Sequence, residues 1–193
     1  AFFYVLIEQS IMSWLPTFNK DVLKLSTSMS IQMASILSGA IALGRLLAGI
    51  LFKKTDWLIV LLCCLASAAA LVVITVPMTG NISASSISNF SDIPLAGFAF
   101  PLIGLFMAPV YPAINSVILS NLPVNKHAAM SGLIVVFSAL GGTTGSIITG
   151  NIFDKYGGQT AFYFSLVPIA ILAVLLVFFK KLQPKTEHSE NKH

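Results

Sequence analysis

Charge is scarce in this sequence. Of 193 residues only 9% are Asp, Glu, Lys or Arg, against roughly 25% in an ordinary soluble domain. Hydrophobic residues make up 56%. A chain so composed cannot cover itself with charge, so a water-soluble domain is excluded and a lipid bilayer becomes the expected solvent. Arginine is scarcer still, with Arg45 the sole example. The two cysteines, Cys63 and Cys64, are neighbours without a CxxC spacing or a nearby histidine, which excludes a disulfide framework and a thiolate metal site. His188 and His193, in the polar tail, have no metal-ligand pattern. A Ser-His-Asp set and a phosphate-cradling glycine loop are also missing, so no enzyme, metal or cofactor is expected. The formal charge of +4 comes from Lys and Arg scattered between apolar runs without an aromatic-basic surface. The expected partner is anionic lipid, not nucleic acid.

What the chain does have is apolar length. A bilayer-spanning helix needs about 20 such residues, and six runs qualify or nearly so: about 1–18, 29–53, 57–78, 94–121, 127–152 and 159–181. The expected domain is therefore a six-helix bundle over 1–181 with a polar tail at 182–193. The first run is closed early by Pro16 and "TFNKD", and no initiator Met precedes it. We therefore expect a chain cut in or before its first helix. Lys53, Lys54, Lys126, Lys180, Lys181, Lys185 and Lys192 occupy one alternating set of loops plus the tail, against Lys20, Lys24 and Lys155 in the other. The excess of basic residues on cytoplasmic loops then places the C-terminus in the cytoplasm. The loop between the third and fourth runs carries N-x-S triplets at Asn81 and Asn89, which a Ser/Asn-rich loop produces by chance.

The end of the second run, "GRLLAGILFKK", and the end of the fifth, "GSIITGNIFDK", share Gly44/Gly145, Gly49/Gly150, Phe52/Phe153 and Lys54/Lys155 at a constant offset. Two three-helix units are implied. Each crosses the bilayer an odd number of times, so the second is inverted relative to the first, an arrangement that places a solute site near the midplane between repeats. In the fifth run Ser138, Gly142, Ser146 and Gly150 recur every four residues beside Gly141 and Gly145, one nearly bare helix face suited to close approach or sliding. Gly44, Gly49, Gly141, Gly142 and Gly145 are the candidate packing and gating glycines. The fourth run is interrupted by Pro101, Pro109 and Pro112, each of which removes a backbone donor, so it belongs inside the bundle or beside a cavity. Tyr111 and Asn115 lie four apart on that run and pair an aromatic face with an amide, chemistry that fits a sugar. Glu8 stands in the middle of "FFYVLIEQSIMSW", where a carboxylate at bilayer depth costs roughly 3 kcal/mol or more, and is the candidate proton-coupling group. Gln9 and Trp14 are further candidate solute contacts on the same helix. Arg45, about 12 Å deeper than Lys53 at helical rise, is a candidate structural or gating residue, or an anion ligand.

These pieces resemble the C-terminal six helices of a major facilitator superfamily transporter. "GRLLAGILFKKTDW" is similar to the superfamily's loop motif between helices eight and nine, with its last basic position weakened. "YVLIEQSIMSWL", "LIGLFMAPVYPAINSVIL" and "LIVVFSALGGTTGSIITGNIFDKYG" resemble helices seven, ten and eleven of the fucose permease family. Leu6 and Ile7 stand where that family has Gly-Ala, Met12 where it has Gly, and Ala113 and Asn115 where it has Thr and Phe. The resemblance implies half of a twelve-helix fold, an absent N-terminal half as partner, and proton-coupled uptake of a sugar across a bacterial inner membrane, with Tyr111 facing the sugar path. The alternatives from the same residues are a facilitator for organic anions or drugs, and a six-helix pore or scaffold. No repeated filter or charged ring supports a pore.

Overall fold

Backbone in lipid must satisfy its own hydrogen bonds, and the apolar runs do so as α-helices. The computed structural model describes residues 1–80 and 92–183. Asn81, Asn89 and the tail residues Lys185, His188, Lys192 and His193 lie outside the described residues. The helices are α1 (Phe2–Met12), α2 (Leu15–Asp21), α3 (Thr27–Leu51), α4 (Trp57–Thr75), α5 (Leu95–Met107), α6 (Val110–Ser120), α7 (His127–Tyr156), α8 (Gly158–Phe164) and α9 (Leu166–Leu182). Among the described residues five stretches are long and apolar enough to cross a membrane: Thr27–Leu51, Trp57–Thr79, Leu95–Ser120, Val124–Tyr156 and Gly158–Leu182.

The first expected run differs from these five. It is two pieces, α1 of 11 residues and α2 of 7, with Ser13 and Trp14 between them. Pro16 does not end the helical path there. It sits in the first turn of α2, where its missing N–H would have no partner anyway. The fifth run also continues past its expected end at 152 to Tyr156, because the stop is Gly157.

Caps set the other boundaries. Ser26 Oγ accepts from the Met29 N–H at 3.3 Å and starts α3; Asp56 Oδ1 accepts from the Leu58 N–H at 2.9 Å and starts α4. Both satisfy orphan donors of a first helical turn. Lys180, near the end of α9, donates to Asp56 Oδ2 and lies 5.8 Å from the Trp57 ring centroid. The ammonium beside Asp56 holds its carboxyl below the usual carboxylate value, so the start of α4 is tied to the end of α9.

Gly157 joins α7 to α8 at φ 84°, ψ 164°, a region open to glycine and strained for any residue with a Cβ. Gly157→Ala is expected to lower stability by about 1–3 kcal/mol, read as an earlier thermal unfolding transition in detergent. No side-chain clash would contribute, since nothing lies within 4 Å of its Cβ position.

In the core, Phe18 of α2 meets Phe100 of α5 and Phe162 of α8 at centroid distances of 4.7 and 4.4 Å, with Phe100 and Phe162 5.0 Å apart. All three rings are buried. The major helix pairings are α1 with α7 and α3 with α5, followed by α4 with α5. Spans α3 and α7 are the least buried of the five, leaving Leu46, Ile50, Val135 and Phe137 exposed.

Candidate functional site

The four-residue spacing of Tyr4 and Glu8 puts both on one face of α1. Tyr4 Oη lies 3.1 Å from Glu8 Oε1 and 3.1 Å from the Met107 carbonyl oxygen at the end of α5. The Tyr4 ring is buried against the Tyr111 ring of α6, centroids 5.5 Å apart and planes 31° from parallel. Tyr111 Oη is in turn 3.2 Å from Ser138 Oγ on α7. Glu8 is half-buried, and Arg45 of α3 is near enough to act electrostatically on both Glu8 and Tyr4. Among the described residues no ion pair joins Glu8 to Arg45. The carboxyl of Glu8 therefore has a hydroxyl partner and, among the described residues, no ion-paired cation.

The helix that carries Tyr111 is broken beside this cluster. Pro101 is absorbed inside α5, but α5 ends at Met107 and α6 starts at Val110, after Ala108 and Pro109. Pro109 and Pro112 have no N–H, so the carbonyls of Leu105 and Ala108 lose their usual helical donors. Gly44 of α3 packs directly over the Leu105 carbonyl, closer than any Cβ could come. Asn115, one turn beyond Tyr111, keeps its side-chain oxygen buried without a hydrogen-bond partner among the described residues.

Glycines bring α7 against α1. A Cβ on Gly141 would collide with the Phe2 backbone carbonyl and one on Gly145 with that of Leu6, while Gly142 faces the Gln9 side chain. Ser10 Oγ donates to the Gly145 carbonyl at 3.3 Å. Trp14 Nε1 donates to the Ser146 carbonyl at 3.0 Å, and its ring covers Gly150 and stacks on Phe153. The single polar donor of Trp14 is thus engaged in joining α7. Gln9 Oε1 accepts from Ser13 Oγ at 2.6 Å. Gly49 stands apart from the other four candidate glycines, exposed and with nothing within 4 Å of its Cβ position.

A cleft of about 540 Å³ opens between α3 and α6, lined by Arg45, Gly49, Asp56, Trp57, Pro112 and Ser116 among others. Arg45 is exposed. The structure thus brings Glu8, Tyr111 and Arg45 into one neighbourhood and puts Gln9 and Trp14 on the α7 side of α1. The sequence reading left out two members, Tyr4 and the Met107 carbonyl. Tyr4 was legible as Tyr-x-x-x-Glu; a backbone carbonyl carries no sequence signal beyond the prolines that follow it.

Compared with known families, residues 80–193 match the family model of the Major Facilitator Superfamily, more than half of the chain. The chain belongs to the Major Facilitator Superfamily. It is therefore an integral membrane protein of a superfamily of secondary transporters for small solutes, whose members are not enzymes. No curated protein and no solved structure matches it. The match includes the broken α5–α6 helix, Tyr111, Asn115 and the glycine face of α7.

Proposed function

We propose that the chain is the C-terminal half of a proton-coupled transporter for a small polar solute, a sugar by its chemistry, in a bacterial inner membrane with the C-terminus cytoplasmic. The observation that carries the solute reading is Asn115: a buried amide oxygen without a partner among the described residues, one turn from an aromatic ring on a proline-broken helix. A buried polar atom is normally paired, and a sugar hydroxyl supplies the donor it lacks while the ring face takes apolar C–H. Glu8 supplies the proton site, Tyr111 and Asn115 bind the solute, and Gln9 and Trp14 line its α7 side.

Reciprocal packing supports the inverted-repeat reading. The second helix of the first unit, α3, lays Gly44 on a carbonyl of α5, and the second helix of the second unit, α7, lays Gly145 on a carbonyl of α1. Each unit thus docks its second helix on the first helix of the other, as a pseudo-twofold requires. The exposed apolar faces of α3 and α7 suit coverage by an N-terminal six-helix half.

Counterflow in proteoliposomes with the full transporter tests the proposal, using a panel of hexoses against organic anions. Tyr111→Phe and Asn115→Ala are each expected to weaken apparent affinity for the accepted sugar by about 1 kcal/mol, roughly fivefold, with folding retained. Unchanged affinity in both variants assigns these residues to packing. The second reading, an organic-anion facilitator, is favoured by Arg45 lining the α3–α6 cleft without an ion-pair partner among the described residues. Selective transport of anions, lost in Arg45→Gln, would replace the sugar by that class.

A further inference from the structure

We infer that Tyr4 is a positioning residue that relays the protonation state of Glu8 to the break between α5 and α6. The inference rests on the proposed proton role of Glu8 and adds the structural element that receives the signal. The phenol oxygen is equidistant, at 3.1 Å, from Glu8 Oε1 and the Met107 carbonyl oxygen. A tyrosine hydroxyl has a single hydrogen, so it donates to one of these acceptors at a time and can accept from a third group. The ring is 1% exposed and lies against Tyr111. Switching acceptors therefore needs rotation of the O–H alone, without side-chain movement.

The two protonation states of Glu8 choose differently. An ionised carboxylate is the stronger acceptor, because a charge-assisted hydrogen bond is roughly twice as strong as a neutral one. The phenol hydrogen then points to Glu8, and the Met107 carbonyl goes without it. A protonated Glu8 instead donates its own hydrogen to Tyr4 Oη, and the phenol hydrogen turns to Met107. The result is a directional chain, Glu8 to Tyr4 to Met107, in which each bond polarises the next. The balance is simple: one proton is gained by Glu8, and Tyr4 stays a neutral phenol throughout.

The receiving carbonyl sits where a single hydrogen bond has leverage. Met107 closes α5 between Leu105 and Ala108, whose carbonyls lose their helical donors to Pro109 and Pro112. In a regular helix one side-chain bond adds little to a redundant ladder; at this break it ties the end of α5 directly to α1. The same break orients α6, which carries Tyr111 and Asn115. Protonation of Glu8 would thus change the support of the segment that presents the solute ligands.

Other titrating or charged groups do not substitute for Tyr4. Arg45 of α3 acts on both Glu8 and Tyr4, and Tyr111 of α6 acts on Tyr4 with its hydroxyl already beside Ser138. The remaining helices against α1 are α2, α7 and α9. Their ionisable side chains, Lys20, Asp21, His127, Asp154, Lys155, Tyr156, Lys180 and Lys181, lie toward helix ends, and none acts on Glu8.

The test uses the full transporter in nanodiscs and follows two signals against pH. One is the infrared carboxyl band that Glu8→Gln removes; the other is backbone hydrogen exchange between Met107 and Ala113, corrected for the intrinsic rate. In the parent, exchange should step by about fivefold, the effect of one hydrogen bond on a local opening equilibrium, with the midpoint of the band. Tyr4→Phe should keep the titrating band and lose the step. A full step in Tyr4→Phe overturns the relay and leaves the proton role of Glu8 standing; a carboxyl band that never titrates overturns both. If Tyr4→Phe does not fold, a fluorinated tyrosine at position 4, a stronger donor, should move both midpoints down together, and unmoved midpoints overturn the relay.

Discussion

Glu8→Gln should abolish proton-driven accumulation of solute while solute exchange across the membrane continues. The amide has the shape of the carboxyl and can still accept from Tyr4 Oη, so the contacts of α1 with α6 and the Met107 carbonyl survive the change. What disappears is the ability to carry a proton. Glu8 is half-buried with a hydroxyl partner and without an ion pair to Arg45, so neither charge state is locked by a neighbour. Net uptake driven by a pH gradient should fall to simple equilibration, and the pH dependence of exchange should flatten. Uptake assays with and without an imposed gradient, on the full transporter, measure both quantities. Accumulation equal to that of the parent, with the same pH profile, would remove Glu8 from the coupling mechanism and leave it a structural ligand of Tyr4.

The second large effect is expected at the seam between α1 and α7. Gly145→Ala puts a methyl group into the Leu6 backbone carbonyl, closer than real Cβ atoms approach. Backbone cannot swing aside as a side-chain tip can, so the two helices must separate. Overpacking of this kind costs about 1–3 kcal/mol, and here it also pulls the Gly145 carbonyl from Ser10 Oγ. Gly49→Ala is the control, a glycine-to-alanine change in the other repeated segment, "GRLLAGILFKK", at a position without close packing. Its Cβ meets nothing within 4 Å, and alanine gains up to about 1 kcal/mol in helix propensity over glycine. Thermal unfolding in detergent should therefore move down for Gly145→Ala and stay level or rise for Gly49→Ala. Equal transitions for the two variants would show that the α1–α7 seam yields without strain.

That contrast marks how far the sequence could be read. Gly49 and Gly150 each precede a Phe by three residues and a Lys by five, and nothing in that spacing separates Gly49, with open space beside it, from Gly150, pressed on the Trp14 ring. Trp14 is a similar case. Its indole N–H has a partner that no neighbouring residue announces, the Ser146 carbonyl, 132 residues away in sequence. Glu8 stood out as a carboxylate at bilayer depth, Arg45 as the sole arginine, set deep in its helix, and Tyr111 as an aromatic face beside an amide. Their convergence was not legible, because three helices separated by loops have to pack before their faces meet.

The sequence by itself determined that the chain is helical and resides in a bilayer, and it located the five long spans. These are properties of composition and run length, which act locally through the need to bury apolar side chains and satisfy backbone groups in lipid. It also placed three prolines without donors in the fourth span, though the structure decided that the helix parts at Ala108 and Pro109 while Pro101 stays inside α5. Only the tertiary structure decided what answers that break: Gly44 over the Leu105 carbonyl and Tyr4 beside Met107, supplied by α3 and α1. It also decided that the first run is two short helices, α1 docked on α7 and α2 packed against α3, and not one straight span. The physical reason is that a carbonyl or a hydroxyl has no preference among distant partners until packing sets the distance, and hydrogen bonds act only over about 3 Å.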